Sequence, residues 1–440
     1  MRTPLGAFIF VVILLLIDLY AFQAFKTVSL NSSSRTRTIV NAAYWTVSVL
    51  VIVTFITLVF SRSDFMPRIV RNTMFAIIIG LFLAKLTTVF FLLIDDVRRI
   101  IQWCVFKVMY NAKNLETPEG EGITRSVFLS WFGLAAGTTL FGSLLYGFSN
   151  KYNYNINRVQ LPFDNLPAGF KGLKILQISD IHSGSFTNAK AVEHGVEMIL
   201  KENADIILFT GDLVNDVATE MSDYMHIFGR LKAPMGVYST FGNHDYGDYI
   251  QWADRTEEHE AKEAAADRHL LTPLQEKNLA DLAKVHAALG WKLLVDEHVS
   301  IKRGDDEIAI LGVQNISGKG VQSLKEKKGG FYSYGNLSKA YSGADKYPFK
   351  ILMSHDPSHW QGQVWEYPDI DLTLSGHTHG MQFGIEVPGF KWSPVQYRYK
   401  QWAGLYENEK QKLYVNRGFG FIGYPGRVGI LPEITVIELV

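Results

Sequence analysis

A single cysteine, Cys104, stands among 440 residues, so neither an internal disulfide framework nor a cysteine-based zinc ribbon can form. Net charge is missing as well. Forty-three basic residues balance 43 acidic ones, which excludes a general electrostatic footprint for nucleic acid and leaves only local patches. Charged residues make up only 20%, while hydrophobic residues reach 48% and aromatics 13%; a chain so rich in apolar side chains is not disordered. Its length exceeds that of one ordinary domain. The long apolar runs crowd into residues 1–150, and the remainder reads as a folded, water-facing half.

Four stretches are long and apolar enough to cross a hydrocarbon core, which takes about 20 helical residues. They are Leu5–Phe25, Ala42–Phe60, Met74–Ile94 and Val127–Phe148. The first is read as a retained anchor rather than a signal peptide, because Arg2 is a thin basic region and no small-residue cleavage site follows. Asp18 and Lys85 fall inside these spans, where an ionisable residue marks either a polar pair in the bundle or an ion path. Near 97–113, Val97, Ile100, Ile101, Cys104, Val105, Val108 and Met109 recur at helical spacing opposite Arg98, Arg99, Gln102, Lys107 and Asn111. That pattern predicts an amphipathic helix, lying in a headgroup layer or packed on the bundle.

Loop charge orients the spans. Lys26, Arg35, Arg37, Arg98, Arg99, Lys107, Lys113 and Arg125 share one side, against Arg2, Arg62, Arg68, Arg71, Lys151 and Arg158 on the other. The bias places the C-terminal half outside the cytoplasm. Thr124-Arg125-Ser126-Val127-Phe128-Leu129 resembles a twin-arginine export signal with one arginine missing. The expectation is a multi-pass protein of a bacterial plasma membrane with an extracytoplasmic soluble half.

Residues 151–160 are expected to be a linker, followed by a domain over 161–440. Short apolar runs at Leu173–Ser179, Asp205–Thr210, Gly236–Phe241, Phe349–Ser354 and Asp371–Ser375 predict buried strands, with a helix at Ala189–Asn203. Such strands, covered on both faces, belong to a layered α/β domain with ligands at the strand ends. A charged, alanine-rich helical insertion spans Tyr246–Leu289, and Glu433–Val440 closes the series as a strand.

Each apolar run ends in a polar cluster: Ser179-Asp180-Ile181-His182, Thr210-Gly211-Asp212, Phe241-Gly242-Asn243-His244-Asp245, Ser354-His355-Asp356 and Ser375-Gly376-His377-Thr378-His379-Gly380. A sheet brings these clusters to one edge. Asp180 and Asp212, His182, His355, His377 and His379, and Asn243 together form a mixed oxygen and nitrogen donor set suited to two divalent ions. No sulfur ligand is available, which disfavours structural zinc. Any one cluster alone reads equally well as a capped turn; five in series point to a shared site.

This ordered set of blocks resembles the calcineurin-like metallophosphoesterase superfamily, and within it the bacterial membrane-anchored or exported branch, to which Asn416-Arg417-Gly418-Phe419-Gly420 and Pro432-Glu433-Ile434 are also similar. The resemblance implies a four-helix transmembrane bundle followed by a β-sandwich flanked by helices, in α-β-β-α layers. It implies Asp180, His182 and His379 on one metal, Asn243, His355 and His377 on the other, and Asp212 bridging. His244 would contact the phosphate and assist the leaving group, with Asp245 orienting it. The implied cofactor is a pair of Mn, Fe or Zn ions, which activate a bridging water as hydroxide for attack on phosphorus. Met381 departs from the second glycine many relatives carry and makes the pocket mouth narrower or more apolar.

Some members of that branch hydrolyse phosphodiesters broadly, and related enzymes cleave the pyrophosphate of UDP-diacylglucosamine. The expected partners are therefore the lipid bilayer and a phosphate-containing, lipid-linked substrate, with no nucleic acid. Soluble nucleotides or envelope polymers are the alternative substrates; a membrane sensor or transporter with a regulatory phosphoesterase domain is the alternative class. Arg417 and Arg427 are read either as ligands for a second phosphate or as surface ion pairs. Trp392, Tyr397, Tyr399, Trp402, Tyr406, Phe419, Phe421 and Tyr424 make up either a sandwich core or a membrane-facing belt.

Overall fold

The computed structural model describes residues 4–60, 66–112, 124–267, 269–318 and 332–440. Arg2, Arg62 and Lys113 lie outside them, and so do the side chains of residues 110–112. The chain divides into two compact units, Met1–Tyr146 and Gly147–Val440.

The first unit holds helices α1 (Pro4–Val28), α2 (Ser34–Phe60), α3 (Arg68–Ala112) and α4 (Val127–Gly147), all long and apolar enough to cross a membrane. The amphipathic segment is not a separate element. It is the last third of α3, because Asp95-Asp96-Val97 offers no glycine or proline to break the helix after the third span. Val97, Ile100, Ile101 and Val108 remain exposed on it. Asp18 and Lys85 find each other: the Lys85 ammonium bonds the Asp18 carboxylate and, at 3.0 Å, the Ser48 hydroxyl, while the Tyr44 hydroxyl donates to the Asp18 carbonyl at 2.8 Å. The pair ties α1, α2 and α3 together. Arg125 of the arginine motif is likewise engaged, 3.2 Å from Asp96, and the Ser126 amide donates to Asp95 at 2.9 Å.

The second unit packs two six-stranded sheets face to face. In chain order its elements are β1 (Asn155–Leu161), β2 (Lys174–Ile178), α5 (Ala189–Lys201), β3 (Ile206–Phe209), α6 (Met225–Phe228), β4 (Val237–Ser239), α7 (Glu257–Ala266), α8 (Pro273–Leu289), β5 (Lys292–Leu293), β6 (Glu297–Arg303), β7 (Asp306–Gly312), α9 (Leu337–Tyr341), β8 (Lys350–Met353), α10 (Ser358–Gly362), β9 (Leu372–Ser375), β10 (Ile385–Val387), β11 (Phe390–Trp392), β12 (Gly404–Asn408), β13 (Gln411–Val415) and β14 (Glu433–Leu439). One sheet runs β1-β14-β2-β3-β4-β5, the other β12-β13-β9-β8-β7-β6, and β10 and β11 pair alone as a hairpin.

Side-chain alternation builds the layers. Ile175, Ile206, Leu208 and Ile437 of the first sheet meet Ile308, Ile310, Ile351, Met353 and Leu374 of the second to form the central core. The opposite face of the first sheet, with Leu176, Ile178, Ile207 and Phe209, is covered by α5 and α8 through Val192, Val196, Leu282 and Leu289. The outer face of the second, with Leu311, Leu352 and Leu413, is covered by Leu337 and Ala340 of α9 and by Trp360. The order is helix, sheet, sheet, helix. The expected linker, 151–160, is mostly strand: Asn155–Leu161 forms β1, parallel to β14. As an edge strand it has one paired side and a half-wet polar sequence, which hides it from a hydropathy reading.

Candidate metal centre

Strands β2, β3 and β4 run parallel, as do β7, β8 and β9. Their C-terminal ends therefore open on loops at one edge, and the five polar clusters are those loops. Asp180 and His182 follow β2, Asp212 follows β3, Asn243 to Asp245 follow β4, His355 follows β8, and His377 and His379 follow β9.

The backbone is forced into unusual shapes there. Asp180, His182, Asp212, His377 and His379 all adopt left-handed conformations, with φ between 49° and 70°. Each such residue costs energy that only a well-tied surrounding structure sustains, and they gather at functional sites. The ties are visible. The Asp180 amide donates to the Gly211 carbonyl at 2.9 Å, the His182 amide to the Asp212 carbonyl at 3.2 Å, and the His377 amide to the Asp180 carboxylate at 3.0 Å. Gly242 is required by crowding: a Cβ there would lie 2.6 Å from the Asp212 amide nitrogen and 2.2 Å from its carboxylate.

The side chains converge. His182 Nε2 and His379 Nε2 are 3.0 Å apart, and His379 Nε2 is 3.2 Å from Asp180 Oδ1. His355 Nε2 lies 3.1 Å from Asp212 Oδ2 and 4.0 Å from Asp180 Oδ1. These atoms make two groups close enough to hold an ion each, Asp180-His182-His379 and Asp180-Asp212-His355. Asp180 thus belongs to both groups and Asp212 to one, while Asn243 and His377 fall in neither. His377 Nδ1 meets Asn243 Oδ1 at 2.6 Å, and its Nε2 meets the Tyr399 hydroxyl at 2.7 Å.

Burial raises the cost of the Asp180 and Asp212 charges, but the surrounding histidines outweigh it and hold both carboxyls below the ordinary range. Burial keeps His182, His377 and His379 neutral, the state in which an imidazole binds metal. Burial would lower His355 also, yet Asp212 and Asp180 raise it to about 10. The Nδ1 of His355 meets the Thr210 carbonyl at 2.8 Å and must donate to it, which aims Nε2 at the carboxylates. Two carboxylates held ionised and two imidazole nitrogens 3.0 Å apart thus converge in one buried site. The donor set fits divalent cations.

His244 and Asp245 divide their work differently from expectation. The Asp245 carboxylate accepts from the backbone amides of Gly242, Leu213 and Asp212 at 2.8–3.0 Å, so it braces the Asp212 loop. Burial, together with the Asp212 charge, raises its pKa to about 7. His244 is oriented instead by the Asn215 carbonyl, which accepts from Nδ1 at 2.8 Å; its amide donates to Asp212 Oδ1, also at 2.8 Å. Its ring stands edge-on to His182 and stacks on Tyr249 at 4.2 Å.

Three contributors were not marked by motif. Tyr249, from the insertion, accepts from the Asn243 amide at 2.7 Å. Tyr399 comes from the aromatic segment, whose Trp402, Phe419 and Phe421 are core while Tyr397 is exposed. Asn215 carries no side-chain signal, because its carbonyl acts. Arg417 and Arg427 are neither surface pairs nor free for phosphate. Arg417 is buried between Glu433, at 2.5 Å, and Glu386. Arg427 is fully buried over the carbonyls of Arg417, Gly418 and Gly420, with His379 Nδ1 at 3.3 Å.

Comparison with known proteins agrees with this geometry. Residues 1–151 match the family described as "Probable Calcineurin-like phosphoesterase, transmembrane domain", and residues 173–381 match "Calcineurin-like phosphoesterase". The "Transmembrane protein with metallophosphoesterase domain" of Danio rerio is 26% identical over 288 residues, 64% of this chain and 56% of that protein. The chain thus spans about half the length of that relative. The "Uncharacterized metallophosphoesterase YkuE" of Bacillus subtilis is 29% identical over 62% of this chain and 81% of its own length. The "UDP-2,3-diacylglucosamine pyrophosphatase LpxG" of Chlamydia trachomatis is 27% identical over 67% of this chain and 93% of its own. With both halves matched and its clusters gathered at one sheet edge, the chain belongs to the calcineurin-like phosphoesterases that carry a four-helix transmembrane domain.

Proposed function

We propose that this chain is a membrane-anchored phosphoesterase that hydrolyses a phosphodiester or pyrophosphate bond in a lipid or lipid-linked substrate. The observation that carries the reading is the double Asp/His cluster, in a chain that also has four membrane-length helices. The similarity to a pyrophosphatase named for a diacylated sugar nucleotide supports the lipid part.

We assign Asp180, His182 and His379 to one divalent cation and Asn243, His355 and His377 to a second, with Asp212 between them; Mn, Fe and Zn all suit these donors. Bound there, the cations would polarise phosphoryl oxygens and acidify water. The rest falls to the protein. His244 commits Nδ1 to Asn215 and keeps Nε2 for proton exchange with the leaving oxygen. Tyr249 holds that ring by stacking, and burial keeps the Tyr249 and Tyr399 hydroxyls protonated as donors at the rim. The loop-charge bias supports a domain outside the cytoplasm.

Full-length protein in detergent, loaded with Mn, tests the reading beside an Asn243→Ala control. Turnover is measured on an aryl phosphodiester, on glycerophospholipids and on a lipid-linked pyrophosphate. Metal-dependent hydrolysis, fastest on a lipid and lost in the control, is expected. Preference for soluble diesters would remove the lipid substrate, and failure to bind metal would sink the mechanism.

A further inference from the structure

The hairpin of β10 and β11 is built inside out. Its turn is Pro388-Gly389, with Gly389 at φ 81°, the residue pair a type II turn prefers. The register sets Ile385 opposite Trp392, Glu386 opposite Lys391 and Val387 opposite Phe390. Alternation therefore puts the two charges on one face and the apolar residues on the other. The charged face is the one tied to the domain by side-chain contacts, although Glu386 and Lys391 are themselves exposed. Glu386 pairs with the buried Arg417 guanidinium, while the Lys391 ammonium bonds the Ala403 carbonyl and lies 4.8 Å from the Tyr406 ring. The apolar face is left outside, with Ile385 52%, Val387 53% and Phe390 55% exposed. A hairpin made for water shows the reverse arrangement.

Its surroundings point to one occupant. Met381 and Tyr397, on either side in sequence, are 57% and 80% exposed, and Arg398 and Lys400 are exposed next to Tyr397. From Met381 to Lys400 the only carboxylate is Glu386, already neutralised by Arg417. Apolar tips with an aromatic and cationic flank are the composition of a membrane interface. The chain carries its own bilayer anchor, since four membrane-length helices precede this domain and the fourth ends at Gly147, shortly before β1. The hairpin is also joined to the site: the Ser393 hydroxyl donates to the Gly380 carbonyl at 2.8 Å, one residue from His379.

We propose that this hairpin is a bilayer-contacting wedge. Ile385, Val387 and Phe390 enter the acyl-chain region, Arg398 and Lys400 meet anionic headgroups, and a lipid phosphate is thereby presented to the adjoining centre. The inference rests on the lipid-directed reading above, so contact and turnover are measured separately.

Full-length protein is reconstituted in phosphatidylethanolamine/phosphatidylglycerol vesicles. In a Cys104→Ser background, Val387→Cys carries a fluorophore, and Lys284→Cys, on the exposed face of α8, serves as control. Doxyl-labelled lipids should quench the position-387 label strongly and the control weakly; equal quenching overturns the proposal, as does self-quenching between copies without lipid quenching. The triple variant Ile385→Ser, Val387→Ser, Phe390→Ser should keep kcat/KM on a soluble aryl diester within about twofold and raise the apparent KM for vesicle-borne substrate about tenfold. Equal effects on both substrates also overturn it. Strong quenching of the 387 label with no lipid turnover supports the wedge and rejects the substrate reading instead.

Discussion

At the scale of single residues, the proposed mechanism assigns charge-holding and proton-moving to different groups. Asp212 stands 3.1 Å from His355 and 3.5 Å from His182, so Asp212→Ala removes the anion that both imidazoles face. Its expected outcome is loss of bound metal together with loss of activity, read by elemental analysis and turnover on one preparation. His244 is different. In the proposed mechanism its ring, with Nδ1 spent on a carbonyl, serves proton exchange, and His244→Ala should keep the metal while turnover falls by about 10²–10⁴-fold. Equal metal loss in both variants would make His244 a ligand instead.

Elements show how much of this could be read before folding. The runs ending at Asp180, Asp212, Asn243, His355 and His377 were legible because strands buried on two faces have few polar residues, and the loop that follows each one has many. β1 was not, since an edge strand has no such contrast. Asn215 was invisible because a carbonyl leaves no trace in side-chain type, and the Arg417 pairing depends on contacts with Glu386 and Glu433 that motif spacing does not encode. α8 carries a testable consequence of burial. His286 sits among Phe209, Phe241 and Trp291, and desolvation lowers its pKa from an ordinary 6.5 to about 3. A depressed histidine supports the fold fully above its unfolded pKa and loses that support as pH falls from about 6.5 to 3. Denaturation at pH 7.5 and pH 5 should show His286→Phe relieving about 2 kcal/mol of acid destabilisation relative to the parent. In the membrane unit, Lys85→Met strands the Asp18 carboxylate and should cost about 3–5 kcal/mol. Adding Asp18→Leu should restore most of it in thermal unfolding of detergent-solubilised protein.

For the whole molecule, two compact units imply two separable responses. The metal centre lies wholly in the second unit, and a ligand stabilises only the fold that binds it. Chelation should lower the unfolding temperature of the catalytic unit and abolish turnover. The helical circular dichroism of the membrane unit should melt where it did before. A common shift of both transitions would show that the units unfold together.

The position of β14 sets a schedule for synthesis. It lies between the edge strand β1 and β2, so until residues 433–439 arrive β1 cannot join the sheet that positions Asp180 and Asp212, and β2 has one unpaired side. At roughly 5–20 residues per second, the wait after β2 is on the order of tens of seconds. Throughout it, a nascent chain already inserted through its helices exposes an unpaired strand beside the future catalytic loops. The centre is therefore completed late in translation, and the interval is one in which a chaperone has something to hold.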